Sequence, residues 1–381
     1  MDQHTPASRT PRTAELPQET LRTILASSRY FRAKDTGIGS LEVVSCQPLG
    51  ADDWWVEVRA DGAHYRMIVD RELSRDTLAD ADTATALVRD VGLLGEEESF
   101  FTPAVPPGAA ARGMGVEQSN TSLIVDDAAQ GDAVALKVFR LLEEGPNRDV
   151  ETLAGLARVG STVAPRLRAV WRDTAPGGAG AAARVTAYAQ DLVPGARDAW
   201  EAVAEVDLGR LRRLTDQMHA DLRAAFPTAT HTGEEIADAF IARMPQIPAL
   251  APYRDAAIAF FDQVRDIERV PVQRIHGDYH LGQVLLSEDA AGEPALHVID
   301  FEGEPARSIS ERNAPDSPLR DIAGMIRSLG YAGRDAHDFA AAEDTLLQAY
   351  VLDKALYEVA YELANRPDWA HIPLAAVEEI L

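Results

Sequence analysis

At 381 residues the chain is long enough for two or three compact units, each able to bury its own core. Lys and Arg total 37 against 61 Asp and Glu, and the formal charge of −24 argues against a sequence-independent nucleic-acid binder or a protein of anionic membrane surfaces. Cys46 is the only cysteine, which excludes an intrachain disulfide and a cysteine-rich zinc site.

Residues 1–18 are polar, without the apolar segment of a secretory signal, and read as a loosely attached tail. No run approaches the ~18 apolar residues of a membrane-spanning helix, so a reducing cytoplasm is the expected location. A short helical segment, LRTILASSRYF, precedes three strand-like runs, LEVVSCQPL, WWVEVRA and HYRMIVD, the last two joined by the turn signal DGA. DTLADADTATALVRDVGLL has helical composition and closes a first module over roughly 1–100. The Pro/Gly/Ala-rich FTPAVPPGAAARGMG reads as a connector.

Strands TSLIVDD and AVALKVF follow, then a helix with Asn147 as N-cap. Asp149 and Glu151 lie in its first turn, where acids complement the helix dipole. Leu153, Leu156 and Val159 supply its apolar stripe and Gly160 its stop. RLRAVWRD and ARVTAYAQDLV complete a β-rich stretch over 101–193. From 194 to 381 the pattern is mainly helical, interrupted by two motif-bearing stretches.

Those stretches are IHGDYHLGQVLL and VIDFEGEP. Phosphoryl transfer needs an acceptor for the attacking hydroxyl's proton, oxygen ligands for magnesium, and a cation on the nucleotide phosphates. Asp278 suits the first role. Gln283 and Asp300 offer an amide and a carboxylate oxygen for the second, and Lys137, within VALKVF, suits the third, with Glu151 as its partner. His276 and His280 then act as scaffolding. A zinc reading of the two histidines fails because Gly277 follows His276 and no H-E-x-x-H is present. G-x-S-x-G and the Walker A loop are also absent, which removes a serine hydrolase and a P-loop kinase.

The set HGDYHLGQVL, VIDFEGEPAR and SPLRDIAGM closely resembles the motifs of actinobacterial maltokinases, members of the aminoglycoside-phosphotransferase-like group. EQSNTSLIV, LKVFRLLEEGPNRDVE and SSRYFRAKD are similar to the nucleotide lobe and N-terminal cap of that family. The resemblance implies an α+β, protein-kinase-like two-lobed fold with a β-rich cap (1–100), a nucleotide-binding lobe (101–193) and a helical catalytic and acceptor-binding lobe (194–381). It implies Asp278 as catalytic base, Mg2+ on Gln283 and Asp300, and ATP held by Lys137, Glu151 and a polar loop from Gln118 through Ser119, Asn120 and Thr121 to Ser122. Backbone groups near Gln190 and Leu192 would face adenine.

Asp278, Asp300, Glu302, Arg312 and Asn313 are the expected acceptor contacts, with Glu304 and Asp316 as further acids on the same segment. Tyr357, Glu358, Tyr361 and Trp369 lie on or beside a late helix and favour core packing over sugar stacking. The chain is similar to the shorter actinobacterial branch that includes glucosamine kinases. The expected reaction is therefore ATP-dependent phosphorylation of glucosamine, with maltose next, then an aminoglycoside, then a kinase-fold binding protein without turnover. A monomer or homodimer is expected.

Overall fold

The computed structural model describes residues 16–31, 37–115, 120–127, 132–174, 182–289, 291–304, 307–340 and 344–381. Gln118 and Ser119 of the expected phosphate loop lie outside the described residues. The chain forms two compact units: residues 1–150 with 166–192, and residues 151–165 with 193–381.

The first unit carries helix α1 (Gln18–Ser27), strands β1 (Leu41–Leu49), β2 (Asp53–Ala60) and β3 (Ala63–Asp70), helix α2 (Ala81–Arg89), and strands β4 (Glu96–Ser99), β5 (Ala110–Gly113), β6 (Asn120–Asp127), β7 (Asp132–Phe139), β8 (Leu141–Leu142), β9 (Leu167–Thr174) and β10 (Ala183–Asp191). They pair as a four-stranded sheet, β1-β2-β3-β8, and a six-stranded one, β4-β9-β10-β7-β6-β5. The period of two along β2 feeds two cores. Trp54, Val56, Val58 and Ala60 pack with Leu21, Ile24 and Leu25 of α1. Trp55 points the other way, into the core that Leu136, Val138, Trp171 and Ala187 build on the larger sheet. The connector expected around 101–115 contains β5, which pairs Ala111 with Val125. Its small side chains let it close the sheet edge.

A balanced ion cluster lies between these strands. Arg184 donates to both Glu57 oxygens (2.8 and 3.2 Å) and to both Asp173 oxygens (2.9 and 2.8 Å), and Arg66 reaches Asp173 at 2.9 Å. Burial pushes the Glu57 carboxyl up, but the Arg184 bonds outweigh it and hold the group below the usual range. Removing one member of such a cluster costs about 3–5 kcal/mol, because a buried charge is left behind.

Helix α3 (Arg148–Arg158) spans the boundary between the units. Val150 N–H donates to the Asn147 side chain at 3.1 Å, so Asn147 caps it. Leu153 and Leu156 are buried as the periodicity predicts, whereas Val159 lies beyond the last turn and is exposed.

The second unit adds strands β11 (Arg197–Asp198), β12 (Ala229–His231), β13 (Val270–Val272), β14 (Val284–Glu288) and β15 (Pro294–Val298). Its helices are α4 (Leu208–Ala225), α5 (Gly233–Arg243), α6 (Arg254–Asp262), α7 (Ile309–Asn313), α8 (Leu319–Tyr331), α9 (Thr345–Asn365) and α10 (His371–Ile380). In its core Phe240 packs tilted against Phe261 and edge-to-face against Tyr350, each at a centroid spacing of 4.9 Å. Among the described residues no helix is long and apolar enough to cross a membrane.

Candidate active site

The loop carrying Asp278 runs from β13 to β14 and is fixed by one face of α8. Asp321, Gly324 and Ser328 are spaced i, i+3 and i+7, so they line one side of that helix. The Asp321 carboxylate accepts backbone N–H bonds from His276 and Gly277, both at 2.8 Å, and His219 Nε2 at 2.9 Å. Burial alone would raise the Asp321 carboxyl. The bonds from His219 and the Gly277 backbone prevail and hold it below the ordinary carboxylate range. At Gly324 an added Cβ would meet the Tyr279 carbonyl oxygen at 2.6 Å, so only glycine lets the helix approach the loop this closely. Ser328 Oγ accepts Leu281 N–H at 3.0 Å.

His276 completes the scaffold, as its motif position implies. Its Nε2 must donate to the Ile299 carbonyl (2.9 Å), which leaves Nδ1 to accept Asp278 N–H (3.3 Å). One neutral tautomer satisfies both contacts. His280 Nδ1 likewise accepts Gly282 N–H at 3.1 Å, and burial lowers that imidazole's basicity. The Asp278 carboxylate itself is partly exposed, and its side chain has 23% of its surface accessible.

Gln283 and Asp300 meet because of strand register. Val284 pairs with Val298 across β14 and β15, and Ile299 N–H donates to the Gln283 carbonyl at 3.0 Å. The residues just outside that pair therefore lie side by side, with Gln283 Nε2 3.4 Å from Asp300 Oδ2. Asp300 has φ +65°, a left-handed conformation that costs a non-glycine residue about 1–3 kcal/mol and recurs at functional sites. Here the amide turns its nitrogen to the carboxylate; with the amide flipped, its oxygen beside Asp300 would make a hard-oxygen donor set of the kind magnesium takes.

The acids after Asp300 are arranged differently from the expectation. Glu304 is buried and neutralised by Lys354 Nζ at 3.1 Å and Arg307 Nε at 2.7 Å. Asp316 is bound to Arg320 and to the Tyr350 hydroxyl (3.0 Å), inside a network that continues through Asp353 to Arg243. It is a half-buried ion whose charge is taken up by this network. Arg312 donates to the Glu302 carbonyl at 3.3 Å and so braces the turn that follows Asp300. Glu302 is half-buried on that turn, and Asn313 Oδ1 is buried without a hydrogen-bond partner among the described residues. Glu358 is engaged by Arg327 at 2.9 Å. Tyr361 and Trp369 are exposed, at 47% and 38%, which corrects the expectation that they pack in the core.

Within the first unit, Lys137 reaches Asp149 at 3.0 Å, and Asp149 also accepts the Tyr188 hydroxyl at 2.8 Å. The expected partner, Glu151, is corrected. Two residues along a helix turn through about 200°, so Asp149 and Glu151 face opposite ways. Glu151 instead lies 3.6 Å from Arg274. Register also sorts the phosphate loop. Ser122 pairs with Lys137 and Asn120 with Phe139, so both share the lysine's face, whereas Thr121 pairs with Val138 and points away. Thr121 Oγ1 accepts from Arg140 at 3.0 Å and is removed as a phosphate contact. Gln190 pairs with Ala135 within β10. Leu192 N–H donates to the Ala133 carbonyl at 3.0 Å, so that donor serves the sheet and is corrected as an adenine contact.

Three residues escaped the sequence reading. Asp321 is an acid inside the buried face of an apolar helix, Lys354 is a cation in the apolar run YVLDKALY, and Asp149 is the first-turn acid on the correct helix face. An ionisable group at an apolar position was the available signal in the first two cases.

No family model matches the chain. It is 27% identical to a glucosamine kinase from Streptacidiphilus jiangxiensis, over 74% of this chain and 75% of that protein. It is also 27% identical to a glucosamine kinase from Mycolicibacterium smegmatis, over 91% and 97% respectively. Among solved structures it superposes on a glucosamine kinase with TM-score 0.65 and 23% identity, covering 95% of this chain and all of the other. A glucosamine kinase in complex with glucosamine, ADP and inorganic phosphate matches with TM-score 0.62 and 22% identity, covering 98% and 100%. The chain is thus similar in sequence to glucosamine kinases and has an α+β, protein-kinase-like fold.

Proposed function

We propose that this protein is an ATP-dependent sugar kinase that converts glucosamine to glucosamine 6-phosphate and ADP. The observation that supports it most is the assembly, in one unit, of Asp278 on a loop pinned by α8 with Gln283 and Asp300 at a hairpin end. The relatives named glucosamine kinase supply the acceptor.

In this reading the Asp278 carboxylate takes the proton of the acceptor hydroxyl as that oxygen attacks the γ-phosphorus. A new O–P bond forms, the bridging bond to the β-phosphate breaks, and ADP leaves with those electrons. Gln283 and Asp300 would hold magnesium, which neutralises phosphate charge when bound. Lys137, held by Asp149, places a cation on the nucleotide phosphates, and Asn120 and Ser122 share its face. Glu302, Arg312 and Asn313 border the acceptor.

A second reading has one observation in its favour. Glu304 and Asp316 are already neutralised by Lys354, Arg307 and Arg320, so they leave no spare negative charge for an amine and suit a neutral acceptor such as maltose. An ATP-dependent screen of glucosamine, glucose, N-acetylglucosamine, maltose and kanamycin decides between them. Highest kcat/KM on glucosamine is expected. A preference for maltose refutes the glucosamine assignment, and binding of ATP and magnesium without turnover of any acceptor refutes the kinase mechanism.

A further inference from the structure

Lys354 links the two motif stretches of the second unit. It sits in the middle of α9, with 21% of its side chain exposed. Its ammonium lies 3.7 Å from Asp278 Oδ1 and 3.1 Å from Glu304 Oε1. Glu304 is itself fixed by Arg307 at 2.7 Å, in the turn four residues past Asp300. The Tyr357 ring lies 5.3 Å from the ammonium on the next turn of α9. Glu358, one turn on, is occupied by Arg327 of α8. Burial would favour loss of the lysine's proton, but Glu304 and Asp278 outweigh it and keep the ammonium charged.

An ion held this way is a fixed strut. Glu304 anchors one side of it, so its contact with Asp278 restricts how the carboxylate can rotate. Oδ1 is the carboxylate oxygen recorded against the ammonium, and no hydrogen bond to Asp278 Oδ2 is formed among the described residues. We propose that Lys354 is a positioning residue for the transfer: clamped by Glu304, it holds Asp278 Oδ1 so that Oδ2 meets the acceptor hydroxyl. The proposal rests on Asp278 being the base. It also bears on regiochemistry, because a fixed ammonium beside the base repels an acceptor amine next to the reacting hydroxyl. Glucosamine satisfies this through its 6-hydroxyl, which is remote from the 2-amine.

The test compares K354M, K354R and the double variant K354M/E304Q with wild type, using ATP, magnesium and the best acceptor from the screen. Misplacing a reacting group by about 1 Å costs on the order of 100-fold in rate. K354M is therefore expected to lower kcat by about 10- to 100-fold with KM for ATP and acceptor within about threefold, and K354R to recover most of the loss. K354M/E304Q removes both charges and leaves no orphaned buried carboxylate, so it serves if K354M folds poorly; the same loss of kcat is expected. A kcat within twofold of wild type in a folded variant lacking the lysine charge overturns the proposal. So does a loss carried wholly by acceptor KM, or a K354R as inactive as K354M. D278N separates this outcome from failure of the base assignment. An active D278N sinks that assignment, whereas an inactive D278N beside an unimpaired K354M sinks the role of Lys354 alone.

Discussion

Replacing Asp321 tests whether the active loop is held by a single buried carboxylate. In D321A the His276 and Gly277 N–H groups and His219 Nε2 lose their acceptor together. Hydrogen bonds to a charged group contribute about 1.5–3 kcal/mol each, but the three share one carboxylate and do not sum. A loss of about 3–5 kcal/mol, that of a broken buried charge network, is expected. D321N is milder. Its amide oxygen can stay where Oδ2 was, serving His276 and His219, while the amide nitrogen then confronts Gly277 N–H. One unsatisfied donor and the lost charge cost about 2–3 kcal/mol. Equilibrium urea denaturation at pH 7 reads both values. The sign with pH is fixed by the lowered carboxyl. Its contribution is fully present above the unfolded value near ~4, and is lost as pH falls from there through the depressed folded value. The gap between wild type and D321N should therefore narrow on the acid side. A D321N within about 0.5 kcal/mol of wild type at pH 7, or a gap that acid leaves unchanged, refutes the reasoning.

Three further outcomes follow from the same structure. D278N should lower kcat by about 100- to 10,000-fold while ATP binding, measured by calorimetry, stays within about twofold. K137M and D149N should each weaken ATP binding by about tenfold or more, whereas E151Q should change it by less than about twofold; a large effect of E151Q restores the discarded pairing. E57Q should destabilise the first unit by about 3–5 kcal/mol in urea, because Arg184 keeps its charge and loses part of its fork.

Much of the fold was legible because its signals are local. The alternation in WWVEVRA and HYRMIVD specifies β2 and β3, and the Asn147 cap marks the start of α3. Spacing in HGDYHLGQ and IDFE was equally informative, since a short antiparallel hairpin must bring its two flanking residues together. What the chain order hid was orientation. Glu151 and Asp149 have the same chemistry two residues apart, and only helix phase separates them. Thr121 and Ser122 are adjacent hydroxyls on opposite faces of one strand, a distinction fixed by pairing with β7. Asp321 and Lys354, which meet the loop, lie 43 and 76 positions along the chain from Asp278, and local pattern carries nothing of such contacts.

The same limit governs how the acceptor is inferred. Counting acids after Asp300 points to a site that attracts a cation, because each carboxylate is taken as free charge. Folding removes two of them from that count: Glu304 closes on Lys354 and Arg307, and Asp316 on Arg320. Carboxylates buried with such partners exert little field beyond the pair. Under the proposed function, the groups left on that segment for a protonated amino sugar would be Glu302 and neutral dipoles such as Asn313, whose buried side-chain oxygen has no partner among the described residues. N313A therefore separates the two acceptors: an amide oxygen that accepts from an ammonium should cost glucosamine about tenfold or more in kcat/KM and a neutral sugar less. Equal losses on glucosamine and glucose would mean that Asn313 reads a hydroxyl common to both.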